Sequence, residues 1–338
     1  MVACLKVLVE RHSVHLTLVY EPAASEAPYA QFDLSFCEHV IASNSKDYGP
    51  LMDKLIITGL DAVVMASWHK WSYMQLCRQL RKQGTVVISC FDRQWKGTIK
   101  QWVGVISREL FLKPSIDNVW VPGDRQAEFA RRLGFPNPLY GFYCANTPRF
   151  ASTPDIGERP EKFIFIGRLI PEKGIDILLD AYLTYRTRVI NPWGLVIAGV
   201  GAYEGRVQET EGVEYRGFTQ PGELASVFTA GQCFVLPSRE EPWGVVLHEA
   251  TAAGLPIICS RACGAGTWFV RFNVNGYIFD GGADRLAEIM ESISNSPEAK
   301  IKRMSAESLK LASLWSPELW ADTLAAFLRQ ELAYRGHL

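Results

Sequence analysis

The chain has 338 residues, 48% hydrophobic, 21% charged and 12% aromatic, with a formal net charge of −1. Those proportions describe a globular protein of about two domains and exclude disordered, collagen-like and coiled-coil chains. No apolar run reaches the ~20 residues of a membrane-spanning helix, and near-neutrality argues against a dedicated nucleic-acid binder.

In chain order, the first segment carries Cys4, Leu5, Leu8 and Val9 at helical spacing and Lys6 and Glu10 as an i,i+4 pair. A helix is the preferred reading; the competing one makes LKVLVE a strand in a hairpin through Arg11–Ser13. The start, MVACLKVLVER, lacks the charged opening and long apolar stretch of a signal peptide. Strand candidates then fall at 14–20, 61–67, 85–91, 118–123, 163–167, 195–201, 233–238 and 255–260. Helix-like stretches alternate with them at 69–83, 98–112, 124–134, 174–188, 221–231, 244–254 and 284–295. The strands are continuous Val- and Ile-rich runs, the pattern of parallel strands buried on both faces. Strand–helix alternation implies βαβ units, and the strands are too many for one compact sheet.

The expected fold is α/β, with two doubly wound Rossmann-like domains facing across a cleft. The polar, Pro-rich stretch 146–162 reads as the linker. The domains are 1–150, 151–315 and a closing helix at 316–338, which opens with Ser316-Pro317-Glu318 as cap and first turn. The first domain holds 17 Lys/Arg and 13 Asp/Glu, net +4, over residues 1–150; the remainder holds 18 and 23, net −5. A Rossmann half ordinarily begins with a strand and a Gly-rich turn, and under the helical reading of the first segment the expectation is a first domain without that strand. Ligands of such folds bind outside the carboxyl ends of the strands.

The eight cysteines include no C-x-x-C pair, and Cys90, Cys233 and Cys259 lie inside apolar runs. Buried free thiols in a cytoplasmic protein are expected, and no metal site.

Chemistry concentrates in LPSREEPWGVVLHEATAAGLPII, residues 236–258. A strand ends at Ser238, a polar loop follows, and a helix starts near Gly244, where free N–H groups can hold phosphate or sugar oxygens. Glu241 in the loop and Glu249 in the helix read, taken singly, as solvated charges; as a pair of carboxylates they suit accepting from sugar hydroxyls. The segment Gly199–Gly205 imitates a dinucleotide fingerprint, but its third Gly is one place late. His248 points away from Glu249 on the helix and reads as packing.

This segment, EPWGVVLHE from Glu241 to Glu249, resembles the Glu-x7-Glu signature of the retaining GT-B glycosyltransferases of glycosyltransferase family 4. FIFIGRLIPEKGIDILLDAY (163–182) is similar to the family's G-R-L-x-x-x-K-G block; LVIAGVG (195–201) and VEYRGFTQPGELASVF (213–228) follow in the family's order. The resemblance covers about 150–325. It implies that Arg168 and Lys173 neutralise the donor diphosphate, that Glu249 accepts from the ribose, and that Glu241 binds the donor sugar. Gly167, Gly199, Arg216, Gly217, Phe218, Trp243, Gly244 and Val245 complete the implied donor site.

The implied donor is a nucleotide sugar, UDP-linked first and GDP-linked next. No Asp-x-Asp is present, so metal-independent transfer without a cofactor is expected. The family's His after an N-terminal strand is replaced by Phe91-Asp92; Asp92 or His69 is the candidate substitute. The implied activity is hexosyl transfer with retention to a glycolipid or cell-surface polysaccharide precursor. The alternative is a catalytically silent subunit that binds a sugar nucleotide or a partner enzyme. In this fold the closing helix often crosses back to the first domain. Residues 93–113 mix Arg93, Lys96 and Lys100 with Trp95, Ile99, Trp102 and Val103, which suits docking on an anionic membrane or packing on the sheet. A cytoplasmic enzyme, peripheral on the inner face of the membrane, is the expected location.

Overall fold

The computed structural model describes residues 1–338 except 22–31, 45, 47, 67, 69, 337 and 338. The chain runs α1 (Val2–His12), β1 (Thr17–Tyr20), β2 (His39–Ala42), α2 (Tyr48–Thr58), β3 (Ala62–Met65), α3 (Trp71–Lys82), β4 (Val86–Cys90), α4 (Ile99–Phe111), β5 (Asn118–Val121), α5 (Asp124–Arg132) and β6 (Leu139–Tyr140). It continues with β7 (Lys162–Ile166), α6 (Ile175–Arg188), β8 (Gly194–Ala198), α7 (Glu204–Glu209), β9 (Val213–Tyr215), α8 (Leu224–Phe228) and β10 (Cys233–Leu236). The last elements are α9 (Val245–Ala252), β11 (Ile257–Ser260), α10 (Gly266–Phe269), β12 (Gly276–Phe279), α11 (Ala283–Ser294), α12 (Glu298–Ser313) and α13 (Pro317–Tyr334).

Two compact units result, one of Met1–Cys144 with Pro317–Leu338, the other of Ala145–Ser316. In the first, β3-β4-β5-β6 form a parallel sheet, and β1 and β2 pair in parallel apart from it. The opening segment is helical, as its spacing indicates, and α1 buries Cys4 and Leu8. Val87, Val119 and Val121 of the sheet pack with Phe91, Phe129, Leu133 and Phe135 in the core. Helix α13 packs on the sheet's other face, to which Trp120 points between Val119 and Val121: Trp320 stacks on Trp120 at 4.6 Å and donates its Nε1–H to the Phe142 carbonyl at 2.7 Å. The same helix holds α1 through Asp322, which pairs with Arg11 at 2.9 Å and with His12 at 2.8 Å.

The second unit has one six-stranded parallel sheet in the order β12-β11-β10-β7-β8-β9. Strand β10 is buried at every position, and β7 and β8 at all but terminal residues, as continuous apolar runs require. The segment 146–162 differs from the expected linker. It forms two 3₁₀ turns whose Phe150 and Ile156 are buried, so it belongs to this unit. All eight cysteines are free thiols, seven buried and Cys37 partly so. Among the described residues, no helix is long and apolar enough to cross a membrane.

Candidate active site

Strand β7 is the hinge of the second sheet. From it the chain steps through α6 to β8 and then β9 on one side, and later places β10, β11 and β12 on the other. The two directions diverge between the carboxyl ends of β7 and β10, the switch point at which open α/β sheets bind ligands. The loops that leave these strands carry the residues singled out above.

Backbone hydrogen bonds stitch three strand ends together. Gly167 donates to Ala198 at 3.0 Å, Leu169 to Val200 at 2.9 Å, Gly199 to Gly217 at 2.7 Å and Arg216 to Ile197 at 2.9 Å. This closeness needs glycine. Gly199 has φ +143°, and a Cβ there would stand 1.8 Å from the Gly167 carbonyl oxygen. Gly167, Gly199, Gly217 and the exposed Arg168 therefore share one end of the sheet. Arg216 is held by Glu214 at 2.7 Å, and Lys162 pairs with the same carboxylate at 2.6 Å. These cations, Lys162 foremost, keep the Glu214 carboxyl below its ordinary range.

On the other side of the switch, Lys173 Nζ forms an ion pair with the buried Glu241 carboxylate. The loop bearing Lys173 is pressed against β10's exit, since a Cβ on Gly174 (φ +67°) would meet the Pro237 carbonyl oxygen at 2.1 Å. Arg239 clamps it from below. Its guanidinium is bidentate to Asp176, both contacts at 2.6 Å, and reaches the Pro171 carbonyl at 2.8 Å. The backbone N–H groups of Arg239 and Glu240 also donate to the Glu172 carbonyl. Neither Arg239 nor Asp176 belongs to the expected set. Their signal was an Arg three residues after a strand, which is indistinguishable in sequence from a solvated loop charge.

Glu241 is fixed from behind by a parallel bridge to Cys263. Gly244 (φ +92°) then starts α9; the Leu247 N–H turns back to the Gly244 carbonyl at 3.0 Å, and the N–H groups ahead of it precede the helical ladder. Trp243 is buried, and its Nε1–H has no partner among the described residues; its ring stands edge-on to Trp268 at 5.5 Å. Glu249 lies half-buried in α9, its carboxyl pushed up by desolvation, with Arg149 opposing the shift. Arg149, from the stretch read as a linker, is a third residue that sequence reasoning missed.

His248 is a packing residue. Its Nδ1 accepts from the Ala145 N–H at 3.1 Å, its Nε2 faces the Ala312 carbonyl at 3.4 Å, and its ring stacks on Phe269 at 4.1 Å. That pattern fits the neutral ring, and burial pushes its pKa down to about 4.

In the first unit, Asp92 follows β4, and its Oδ2 accepts from the Tyr143 hydroxyl at 3.1 Å. Phe91 beside it is core, 4.7 Å from Trp68 and 5.7 Å from Phe129. His69, the other candidate, lies outside the described residues. Among the described residues no three or more His, Cys, Asp or Glu side chains gather as a metal site would need.

Residues 148–310 match the family described as Glycosyl transferases group 1. The chain is 30% identical over 294 residues to a GDP-mannose-dependent alpha-(1-6)-phosphatidylinositol monomannoside mannosyltransferase of Mycobacterium tuberculosis, covering 80% of this chain and 71% of that one. Among solved structures it is similar to a sucrose-phosphate synthase of Thermosynechococcus elongatus, with TM-score 0.73 and 20% identity over 98% of this chain and 92% of that one. It is also similar to the HepE protein of Anabaena solved with UDP, with TM-score 0.74 and 16% identity over 97% and 96%. The fold is thus that of GT-B proteins, two Rossmann-like domains built on parallel sheets.

Proposed function

Since the chain belongs to the glycosyl transferases group 1 family, we propose that it is a metal-independent, retaining member of glycosyltransferase family 4 that moves a hexose from a nucleotide donor to a glycolipid. The observation that carries this reading is the ion pair of Lys173 with Glu241 at the sheet's switch point, where Arg168 leaves the end of β7. A departing nucleoside diphosphate gathers negative charge, and preorganised cations stabilise it as it forms. Arg168 and Lys173 take that role. Glu241, oriented by Lys173, accepts from the donor sugar's hydroxyls, with the N–H groups of Trp243, Gly244 and Val245 alongside. Glu249 receives the ribose, and the loop Arg216–Phe218, with Gly167 and Gly199, forms the floor under the nucleotide. No carboxylate is assigned as a covalent nucleophile; a front-face displacement, in which the leaving phosphate helps deprotonate the acceptor, follows from the family reading. Asp92, oriented by Tyr143, is the first unit's contribution.

The relative at 30% identity is named as GDP-mannose-dependent, whereas UDP is named only for fold-level neighbours. GDP-mannose therefore replaces a UDP-sugar as the first donor to try, and a phosphoinositol-type glycolipid is the first acceptor. Thermal shift with GDP and UDP, followed by transfer of labelled mannose to extracted lipids, tests the reading. A nucleotide that stabilises the chain without donor hydrolysis or transfer would leave the alternative of a silent binding subunit; no stabilisation by any nucleoside diphosphate would end both.

A further inference from the structure

Helix α4 is built inside out. Its inner side carries Gln101, Gly104, Val105 and Arg108. Arg108 donates to the Arg132 carbonyl at 3.0 Å, and Gly104 faces Leu133. Its outer side carries Ile99, Val103, Ile106 and Leu110, spaced at 4, 3 and 4 residues and therefore one continuous stripe. Ile99 is 83% exposed, Ile106 78% and Leu110 71%, and no residue of the helix is buried. A surface helix normally turns such a stripe to the core. The helix is nonetheless well formed, since Thr98 and Gln101 close a capping box at its start. At its far end the stripe continues through Phe111 onto Trp71 of α3, 5.9 Å away and also exposed.

Cations bracket this apolar band. Arg93, Lys96 and Lys100 are exposed at the amino end, and Arg78 and Lys82 line the groove beside Leu110 and Phe111 at the other. Residues 93–113 contain five Lys/Arg and one carboxylate, Glu109. An exposed apolar strip about 20 Å long calls for a cover. A second copy of the chain would bring two such positive rims together, which Coulomb repulsion opposes. A flat anionic surface with an apolar interior satisfies both the stripe and its rim.

We propose that the outer face of α4, extended by Trp71, docks the first unit onto the anionic phospholipids of a membrane. The inference deepens the glycolipid reading above, and its purpose rests on it, because a lipid-anchored acceptor is met at such a surface. The apolar stripe enters the headgroup boundary while Arg93, Lys96, Lys100, Arg78 and Lys82 meet lipid phosphates.

Co-sedimentation of the full chain with phosphatidylcholine vesicles, with and without about one third phosphatidylglycerol, tests it without any acceptor. The chain is expected to pellet with the anionic vesicles only, and less as salt rises. Lys96→Gln with Lys100→Gln weakens the partition by on the order of 30-fold, at about 1 kcal/mol per cation. Ile106→Glu weakens it by at least about tenfold through loss of apolar insertion. Both changes fall on exposed side chains, and melting temperature checks that each variant folds. Equal pelleting with neutral and anionic vesicles, or none, overturns the proposal. So does a dimer that Ile106→Glu dissociates while vesicles are ignored. Thermal shift by GDP or UDP is read on the same samples: pelleting without any shift retains the docking surface and removes the transferase reading of the site.

Discussion

The ammonium of Lys173 and the carboxylate of Glu241, 68 residues apart in the chain, form one ion pair across the sheet's switch point. Each is mostly buried, so neither is replaceable alone. Lys173→Ala strands a buried carboxylate and is expected to cost about 3 kcal/mol of stability. Transfer falls by at least about 100-fold in Lys173→Ala and Glu241→Ala. Lys173→Met combined with Glu241→Leu recovers stability but no activity. Denaturant unfolding beside a transfer assay separates the two effects; full turnover in either Ala variant refutes the assignment.

The Arg239 clamp acts on position rather than chemistry. Lysine cannot span Asp176 bidentately. Arg239→Lys is therefore expected to raise the donor KM several-fold while stability moves by less than about 1 kcal/mol, the range of an exposed pair. An unchanged KM would reduce the clamp to a surface contact.

Gly199 and Gly174, both at the candidate site, have no room for a methyl group. Gly199→Ala and Gly174→Ala drive a Cβ into backbone carbonyl oxygens at 1.8 Å and 2.1 Å in left-handed backbone. Each is expected to cost on the order of 3 kcal/mol or more. Gly222 has no neighbour within 4 Å of its would-be Cβ, and Gly222→Ala should change stability by less than about 0.5 kcal/mol. Melting temperatures of the three variants decide.

Desolvation holds the Glu249 carboxyl above its ordinary pKa. Ribose hydroxyls donating to it favour the ionised form. Donor binding should then release a proton, and affinity should rise as pH rises through the elevated value. Calorimetry in two buffers of different ionisation heat measures the proton, and Glu249→Gln abolishes it. Proton uptake, or none, contradicts the ribose role.

His248 titrates in the opposite sense. Its folded pKa is depressed to about 4, whereas an unfolded histidine charges near ~6.5. Its stabilisation of the neutral fold is present above that higher value and is lost as pH falls toward the lower one. The loss totals about 3 kcal/mol. His248→Phe should flatten the dependence at the cost of the Ala145 hydrogen bond, as melts between pH 7 and pH 4 would show.

Legibility in the sequence followed burial. Strands such as FIFIG and CFVLPS announced themselves because both faces are covered by helices. The two-residue β6 and the three-residue β9 carry too few residues for any period to emerge. Helix α12 escaped notice because its inner face includes Ser305 and Ser308, and Ser308 spends its hydroxyl on the Leu255 carbonyl at 2.7 Å. Within the site, Lys173 and Glu241 were visible through the spacing of their motifs. Arg149 and Arg239 were not, since their partners lie 72 and 63 residues away in the chain. The amphipathic pattern at 93–113 was legible too, but only the structure shows which side of α4 faces out.

The Trp120–Trp320 stack has a consequence for synthesis. The first unit's core needs a ring from α13, whereas the second unit is one uninterrupted segment, Ala145–Ser316. A ribosome adding roughly 5–20 residues per second delivers the whole second unit before Trp320 exists. The unit that starts first is therefore the one that finishes last, and a nascent chain stalled before α13 would expose the face of Trp120 that Trp320 later covers.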